Sequence, residues 1–281
     1  MEKTKGRLTI LSDNLVLGRE ESLGEHGFAV YLETDSGNYL FDTGKGRTIL
    51  HNASLYQKDL RALKKIILSH GHGDHTGGLP EVLRLHREIE VLGHPDIFLH
   101  RFRKEKDGKE RYGGIPYVRS FLERLGAKFV LNEEFTAVDR GIYLTGAIPR
   151  ETGFEAGDLG NRFAIREGKI VSEFVMDDQS LILGTERGLL ILFGCAHAGA
   201  INIIRHAIRM TGTDRIWGLV GGTHLGFSGT DQTEKTIQAL QSYPMELLCP
   251  SHCTGMTVIT RLSREFEKIF RFSHVGMSFE F

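Results

Sequence analysis

Cysteine, proline and long apolar runs are all scarce in this chain. Its 281 residues include 3 cysteines and 6 prolines. So few cysteines, in an odd number, cannot form a disulfide framework, and we expect reduced thiols. No stretch approaches the roughly 20 apolar residues that a membrane span needs, and the first residues lack the apolar core of a secretory signal. We therefore expect a globular, cytoplasmic protein without a membrane partner.

An excess of either charge is also lacking. Lysine and arginine total 35, aspartate and glutamate total 36, and the formal net charge is −1. No global basic field is present to collect nucleic acid, which argues against such a partner. The clearest basic cluster runs from Arg101 to Arg111, inside a segment (98–117) that we expect to be an irregular insertion. That cluster is either a solvated loop or a lid whose cations meet an anionic substrate.

The order of apolar runs and turns predicts an α/β protein. In the first third, β-like runs precede a strand over 64–68, which ends at a glycine-rich loop. No linker or low-complexity segment divides the chain, so we expect one domain over residues 1–281, built from two similar halves. In the last third, strands and helices are expected to alternate over 189–193, 200–210, 216–220, 233–240 and 247–249.

The strongest chemical signal is the run His70-Gly71-His72-Gly73-Asp74-His75. Residues i and i+2 of an extended segment point the same way, so His70 and His72 can bind one ion. Asp74 and His75, beyond a glycine, can turn towards a second ion. Imidazole and carboxylate ligands together suit zinc, iron or manganese. The run therefore predicts a metal site at the end of a buried strand, where ligands gather in α/β sheets.

Further histidine-bearing loops follow apolar strands in the second half. Cys195 and His197 follow one strand, His224 follows the next, and His252 and Cys253 follow the last. Each histidine alone is more often structural than a ligand, but parallel strands end at a common edge, so we expect these loops to converge. Other histidines are expected to be structural or to lie on the surface, namely His26, His51, His86, His100, His206 and His274.

These motifs resemble those of a known superfamily. The run from Leu68 to Leu79 resembles the metal motif of the metallo-β-lactamase superfamily, and Phe41-Asp42-Thr43-Gly44 resembles its first motif. The loops around His197, His224 and His252 resemble a narrower branch, which contains the archaeal dihydropterin–ribofuranosylaminobenzene phosphate synthase and many bacterial relatives. The resemblance implies a four-layered αβ/βα sandwich with its site between the two sheets.

The resemblance also implies a set of metal ligands. It implies two divalent ions, for which we expect zinc before manganese or iron. The bridging aspartate that is usual in the superfamily has no counterpart here. Cys195 stands in roughly its place, and either Cys195 or Asp178 is therefore a possible ligand. The ligands implied for the first ion are His70, His72 and His197, and those for the second are Asp74, His75 and His252.

Four residues are expected to act around the metal ions. Asp42 would orient a ligating imidazole through its other ring nitrogen, although an aspartate before Thr-Gly can also simply form a turn. Asp74 would orient the attacking water as well as bind metal, and His224 would contact substrate or donate a proton. Arg150 is expected to face the cleft, either beside the ligands or against the substrate.

Several functions are compatible with this site. A pair of metal ions predicts hydrolysis of an ester, lactone or phosphodiester in a small, anionic metabolite, because a bridging water becomes a nucleophile near neutral pH. The resemblance implies instead a transferase that condenses a phosphoribosyl compound with an aromatic acceptor and releases pyrophosphate and carbon dioxide. An iron-dependent oxidoreductase is a third alternative. A nuclease is a fourth, which the net charge disfavours. We predict no oligomeric state.

Overall fold

Two large β-sheets lie face to face between helices. The computed structural model describes residues 1–105, 107–155, 157 and 162–281. No helix in those ranges is long and apolar enough to span a bilayer. The helices are α1 (Ile49–Leu55), α2 (Gly73–Thr76), α3 (Leu79–Leu83), α4 (Arg119–Arg124), α5 (Ala200–Thr211), α6 (Thr230–Leu240) and α7 (Met256–Glu265). The strands are β1 (Gly6–Ser12), β2 (Ala29–Thr34), β3 (Gly37–Phe41), β4 (Leu63–Ile67), β5 (Ile89–Gly93), β6 (His100–Lys104), β7 (Glu110–Tyr112), β8 (Ala127–Leu131), β9 (Thr136–Asp139), β10 (Ile142–Leu144), β11 (Arg162–Arg166), β12 (Lys169–Ser172), β13 (Ser180–Thr185), β14 (Gly188–Phe193), β15 (Ile216–Gly222), β16 (Leu247–Ser251) and β17 (Ser278–Glu280).

Three apolar clusters separate four layers. The first sheet has the order β17-β1-β2-β3-β4-β5-β8, and the second has the order β16-β15-β14-β13-β10-β9. One cluster fills the space between these sheets and includes Phe28, Phe41, Leu190 and Trp217. A second cluster packs the first sheet against α1, α3 and α4, and a third packs the second sheet against α5, α6 and α7. The predicted αβ/βα sandwich is therefore confirmed.

Strand β14 shows why the sequence forms this layered structure. All of its residues, Gly-Leu-Leu-Ile-Leu-Phe, are buried. Successive side chains of a strand point to opposite faces. Leu190 and Leu192 accordingly enter the cluster between the sheets, whereas Ile191 and Phe193 enter the cluster under the helices. A strand covered on both faces reads as a continuous apolar run, which is the pattern expected for the centre of a sandwich.

The carboxyl ends of the parallel strands meet at one edge of the sandwich. Strands β3, β4 and β5 run parallel in the first sheet, and β14, β15 and β16 run parallel in the second. Several residues just beyond these ends have a positive φ, at 59° for Asp42, 55° for Ala196, 55° for His224 and 47° for His252. Non-glycine residues adopt this conformation at a cost, and such residues concentrate at functional sites.

A smaller sheet, which we call the lid sheet, corrects one expectation. It consists of β6, β7, β11 and β12 in the order β12-β11-β6-β7. Residues 98–117 were expected to be irregular, yet they contain β6 and β7. Strand β6 pairs antiparallel with β11, and the rings of Phe102 and Phe163 stack with centroids 5.9 Å apart. The β6–β7 and β11–β12 pairings are local hairpins, but the β6–β11 pairing that joins them links segments about 60 residues apart, which local pattern does not reveal.

Candidate metal centre

Three imidazoles expected to bind the first ion lie together. His70 Nε2 is 2.9 Å from His72 Nδ1, and the ring of His197 lies 4.9 Å from each of their rings. Ligand nitrogens of all three lie within 4.8 Å of one another. Burial, together with neighbouring imidazoles, lowers the pKa of His70 and of His72 well below the ordinary value. Both rings are therefore neutral near pH 7, which leaves nitrogen lone pairs for a metal ion.

Asp42 and Ser69 fix the orientation of His70. Asp42 accepts hydrogen bonds from the Ser69 backbone N–H and the Ser69 hydroxyl, both at 2.7 Å. Since the hydroxyl donates to Asp42, it can accept a bond from His70 Nδ1, which lies 2.8 Å away. The proton then sits on Nδ1, and Nε2 faces the centre with its lone pair exposed. Such outer partners orient metal-binding histidines and increase their basicity.

His75 is held by the same carboxylate. Its Nδ1 donates to Asp42 Oδ2 at 2.7 Å, and its Nε2 faces Cys195 Sγ at 3.1 Å. Burial opposes a charged imidazole here, but Asp42 overcomes that effect and raises the pKa of His75 to about 9. A metal ion at Nε2 would therefore displace a proton from this nitrogen. Asp42 thus contacts His75 directly and reaches His70 through the Ser69 hydroxyl, so that one carboxylate holds both imidazoles.

Asp74 lies between two histidines on the open side of the centre. Its Oδ2 is 3.3 Å from His252 Nε2 and 3.3 Å from His26 Nε2. Burial alone would raise the pKa of Asp74, but bonds from these imidazoles hold it well below its ordinary value. His252 Nδ1 lies 2.9 Å from Asn14 Oδ1. That oxygen can only accept a hydrogen bond, so Nδ1 carries a proton and Nε2 is the nitrogen that faces Asp74.

Cys195 occupies the middle of the cluster. Its Sγ belongs to one potential ligand group with His70 and His75, and to another with His197 and His224. The rings of His224 and His197 lie in contact at an angle of 46°, with their centroids 4.2 Å apart. These donors fit a metal ion by their chemistry, because imidazole and thiolate are the ligands that zinc and iron prefer. The structure thus places Cys195 and His224 beside the residues that were expected to bind metal.

Two expected residues support the His197 loop instead of facing the cavity. Arg150 donates from Nη1 to the His197 carbonyl at 2.9 Å. Asp178 accepts a bond from the Ala198 backbone N–H at 2.9 Å, and no potential ligand group among the described residues includes it. Burial raises the pKa of Asp178 to about 7. Asp178 therefore lies apart from the ligand atoms, and Arg150 contacts the ligand loop through its backbone.

A cavity of about 500 Å³ opens onto the ligand cluster. Of the described residues that line it, two are acidic, Asp74 and Glu173. Six of those described residues are basic, so their summed charge is positive, opposite in sign to the net charge of −1 for the whole chain. Arg101 is also paired within the protein, since it donates to Asp177 at 2.9 Å. The basic side chains in the lining are Lys45, Arg47, Arg101, Arg103, Arg111 and Arg162.

His26, which the sequence predicts to be structural or to lie on the surface, is exposed and also lines this cavity. Its loop is tightly fixed, because Glu25 accepts bonds from the backbone N–H groups of Lys45 and Gly46 at 2.9 and 3.2 Å. A Cβ at Gly27 would lie 2.6 Å from the Asp74 carbonyl oxygen, so only glycine fits. The one sequence signal was His26 followed by glycine, just before a strand.

Fold and site together define an α/β sandwich with histidine-bearing loops at its strand ends. The chain belongs to the metallo-β-lactamase superfamily, whose family model matches residues 23–199. It is 30% identical, over 92% of this chain and 90% of the relative, to the 7,8-dihydropterin-6-methyl-4-(β-D-ribofuranosyl)-aminobenzene-5′-phosphate synthase of Methanocaldococcus jannaschii. It is also 30% identical to an uncharacterized protein of that organism, over 96% of this chain and 98% of the relative. The crystal structure of Tm1679, a metal-dependent hydrolase of the β-lactamase superfamily, has 29% identity and a TM-score of 0.83, covering 98% of this chain and 99% of that one.

Proposed function

We propose that this protein is a metal-dependent hydrolase of a small phosphorylated or ester-type metabolite. One observation carries the proposal: potential metal ligands lie in the wall of a cavity whose described lining is mostly basic among its charged residues. Clefts lined by one sign of charge concentrate ligands of the opposite sign. A volume of about 500 Å³ suits a metabolite rather than a polymer. The small-molecule partner and the cytoplasmic location both stay predictions.

The residues of the centre have distinct proposed tasks. Two divalent ions, zinc before manganese or iron, would supply Lewis-acid chemistry by acidifying a water and stabilising negative charge on the substrate. Asp74, whose carboxylate is charged and faces the cavity, orients the attacking water. His224 lies on the cavity wall and donates a proton to the leaving group. Arg111 and Arg162, which also line the cavity, bind the anionic part of the substrate.

A transferase is the second candidate, and the full-length similarity to the archaeal synthase favours it. In that reaction class the basic lining would hold a phosphoribosyl group and the departing pyrophosphate. An aromatic acceptor would then need to enter the same cavity. The two candidates differ in their requirements, because hydrolysis needs one substrate and water, whereas transfer needs two organic reactants.

The test is turnover by protein loaded with zinc or manganese. Phosphomonoesters, phosphodiesters and lactones are offered singly, and a phosphoribosyl donor is offered with and without an aromatic acceptor. Hydrolysis of a single substrate, lost in His70→Asn and kept in His51→Asn, would support the proposal. The loss should exceed the roughly 10–100-fold cost of removing an outer partner. Pyrophosphate that appears only with both reactants would instead establish the transferase, and no turnover of any substrate would contradict both.

A further inference from the structure

Two buried cysteines lie at the metal centre, although hydrolysis as proposed needs no thiol. Cys195 Sγ is 3.1 Å from His75 Nε2. Potential ligand atoms of Cys195, His252 and Cys253 all lie within 4.8 Å of one another. Both cysteines also line the cavity, so an ion that enters can reach them. The centre therefore has a sulfur-bearing side in addition to its imidazoles and carboxylate.

The backbone around Cys253 fixes the position of its sulfur. Cys253 directly follows His252 in a short 3-10 turn at the end of β16. The backbone N–H of His224 donates to Cys253 Sγ at 3.3 Å. A Cβ on Gly222 would lie 2.6 Å from that sulfur, so the absence of a side chain there leaves room for it. A backbone N–H directed at sulfur is the kind of outer contact that orients a metal ligand.

The third cysteine provides an internal comparison. Cys249 is buried between the two large sheets, and its Sγ lies 3.8 Å from Met277 Sδ. It belongs to no potential ligand group among the described residues. Cys249 is therefore an ordinary core thiol, from which the two thiols of the centre can be distinguished by experiment.

We propose that Cys195 and Cys253 are metal ligands, so that the centre is a mixed imidazole–thiolate site. The proposal rests on the metal dependence proposed above. Ligand atoms at about 2.0–2.3 Å from a tetrahedral zinc ion lie roughly 3–4 Å apart, and the Cys195–His75 separation of 3.1 Å fits that range. Each metal–sulfur bond replaces one S–H bond, and the proton leaves to solvent. Thiolate ligands favour zinc, cobalt and iron(II) over manganese and magnesium.

Cobalt(II) substitution tests the proposal, because a cobalt–thiolate bond gives a charge-transfer band in the near ultraviolet. The wild type and Cys249→Ala should both show this band. Cys195→Ser and Cys253→Ser should each lose about half of it, and the double variant should lose all of it. Elemental analysis of bound cobalt and a thermal melt accompany each spectrum, so that an unfolded variant is recognised.

Alkylation of the wild type supplies a measurement without substitutions. Bound zinc should protect Cys195 and Cys253 from a small alkylating reagent, as located by peptide mass spectrometry, and should leave the reactivity of Cys249 unchanged. Full cobalt loading without a thiolate band would overturn thiolate ligation and leave the metal-dependent function standing. A band unaffected by Cys253→Ser would remove Cys253 from the ligand set. Failure to bind either metal would contradict the proposed function itself.

Discussion

Replacing Asp42 by asparagine tests how the centre is held together. Asparagine tolerates a positive φ, such as the 59° of this residue, so the backbone can stay as it is. Its Oδ1 can still accept the Ser69 N–H, but its amide nitrogen then stands where Oδ2 accepts from His75 Nδ1 at 2.7 Å. Facing a donor, His75 has to give up its Nδ1 proton and keep the proton on Nε2. Without the Asp42 carboxylate to hold a proton on Nδ1, Nε2 is less able to release its own proton to a metal ion.

This change should weaken metal binding by about 10–100-fold, which corresponds to about 1.4–2.7 kcal/mol. Competition with a chromophoric chelator measures the affinity for zinc. Asp139→Asn is the matched control, since Asp139 also accepts hydrogen bonds, from Tyr39 and Lys64, but lies outside the centre. A folded Asp42→Asn protein that binds zinc within about twofold of the wild type would refute the tautomer argument.

Two further predictions concern buried ionisable groups near the ligand loops. The pKa of Asp178 rises from 3.8 to about 7 on folding, so the free energy of unfolding should fall by up to about 1.4 kcal/mol per pH unit across that interval. Asp178→Asn removes this titration and should gain stability relative to the wild type from pH 4 to pH 7 in chemical denaturation; the opposite slope would contradict the shift. Arg101→Met leaves buried Asp177 without its ion-pair partner and should cost about 3–5 kcal/mol in urea unfolding. Adding Asp177→Asn should recover part of that cost, and full additivity would show that the pair is not coupled.

The layers and the ligand loops could be predicted because both leave local signals. Strand β14 reads as an unbroken apolar run, and α5 has Ile201, Ile204 and Ala207 on one face, as its buried residues confirm. The closely spaced His70 and His72 identify a metal motif without any knowledge of tertiary structure. Each of these signals is contained in about a dozen consecutive residues or fewer.

Other features depend on contacts between distant segments. His26 reaches Asp74 only because the loop before β2 packs against the loop after β4, where the Phe28 N–H donates to the Asp74 carbonyl at 3.3 Å. Cys253 becomes part of the centre through a bond from His224, which belongs to another strand end. Helix α7 has no counterpart among the predictions, although Val258, Ile259 and Leu262 recur at helical spacing and are buried. That helix was accessible from periodicity and the convergence of the Cys253 loop from the strand ends, whereas the placement of His26 was accessible from neither.

The origin of the ligand loops has a consequence for the stability of the whole chain. His70, His72 and His75 follow a strand of the first sheet, whereas His197 and His252 follow strands of the second. An ion bound by both sets would act as a crosslink between the two halves of the sandwich. The three cysteines of this chain form no disulfide. A bound ion would therefore be a reversible crosslink in a chain that has no covalent one. At a free concentration of 100 times its dissociation constant, it would add about 2.7 kcal/mol to the free energy of unfolding.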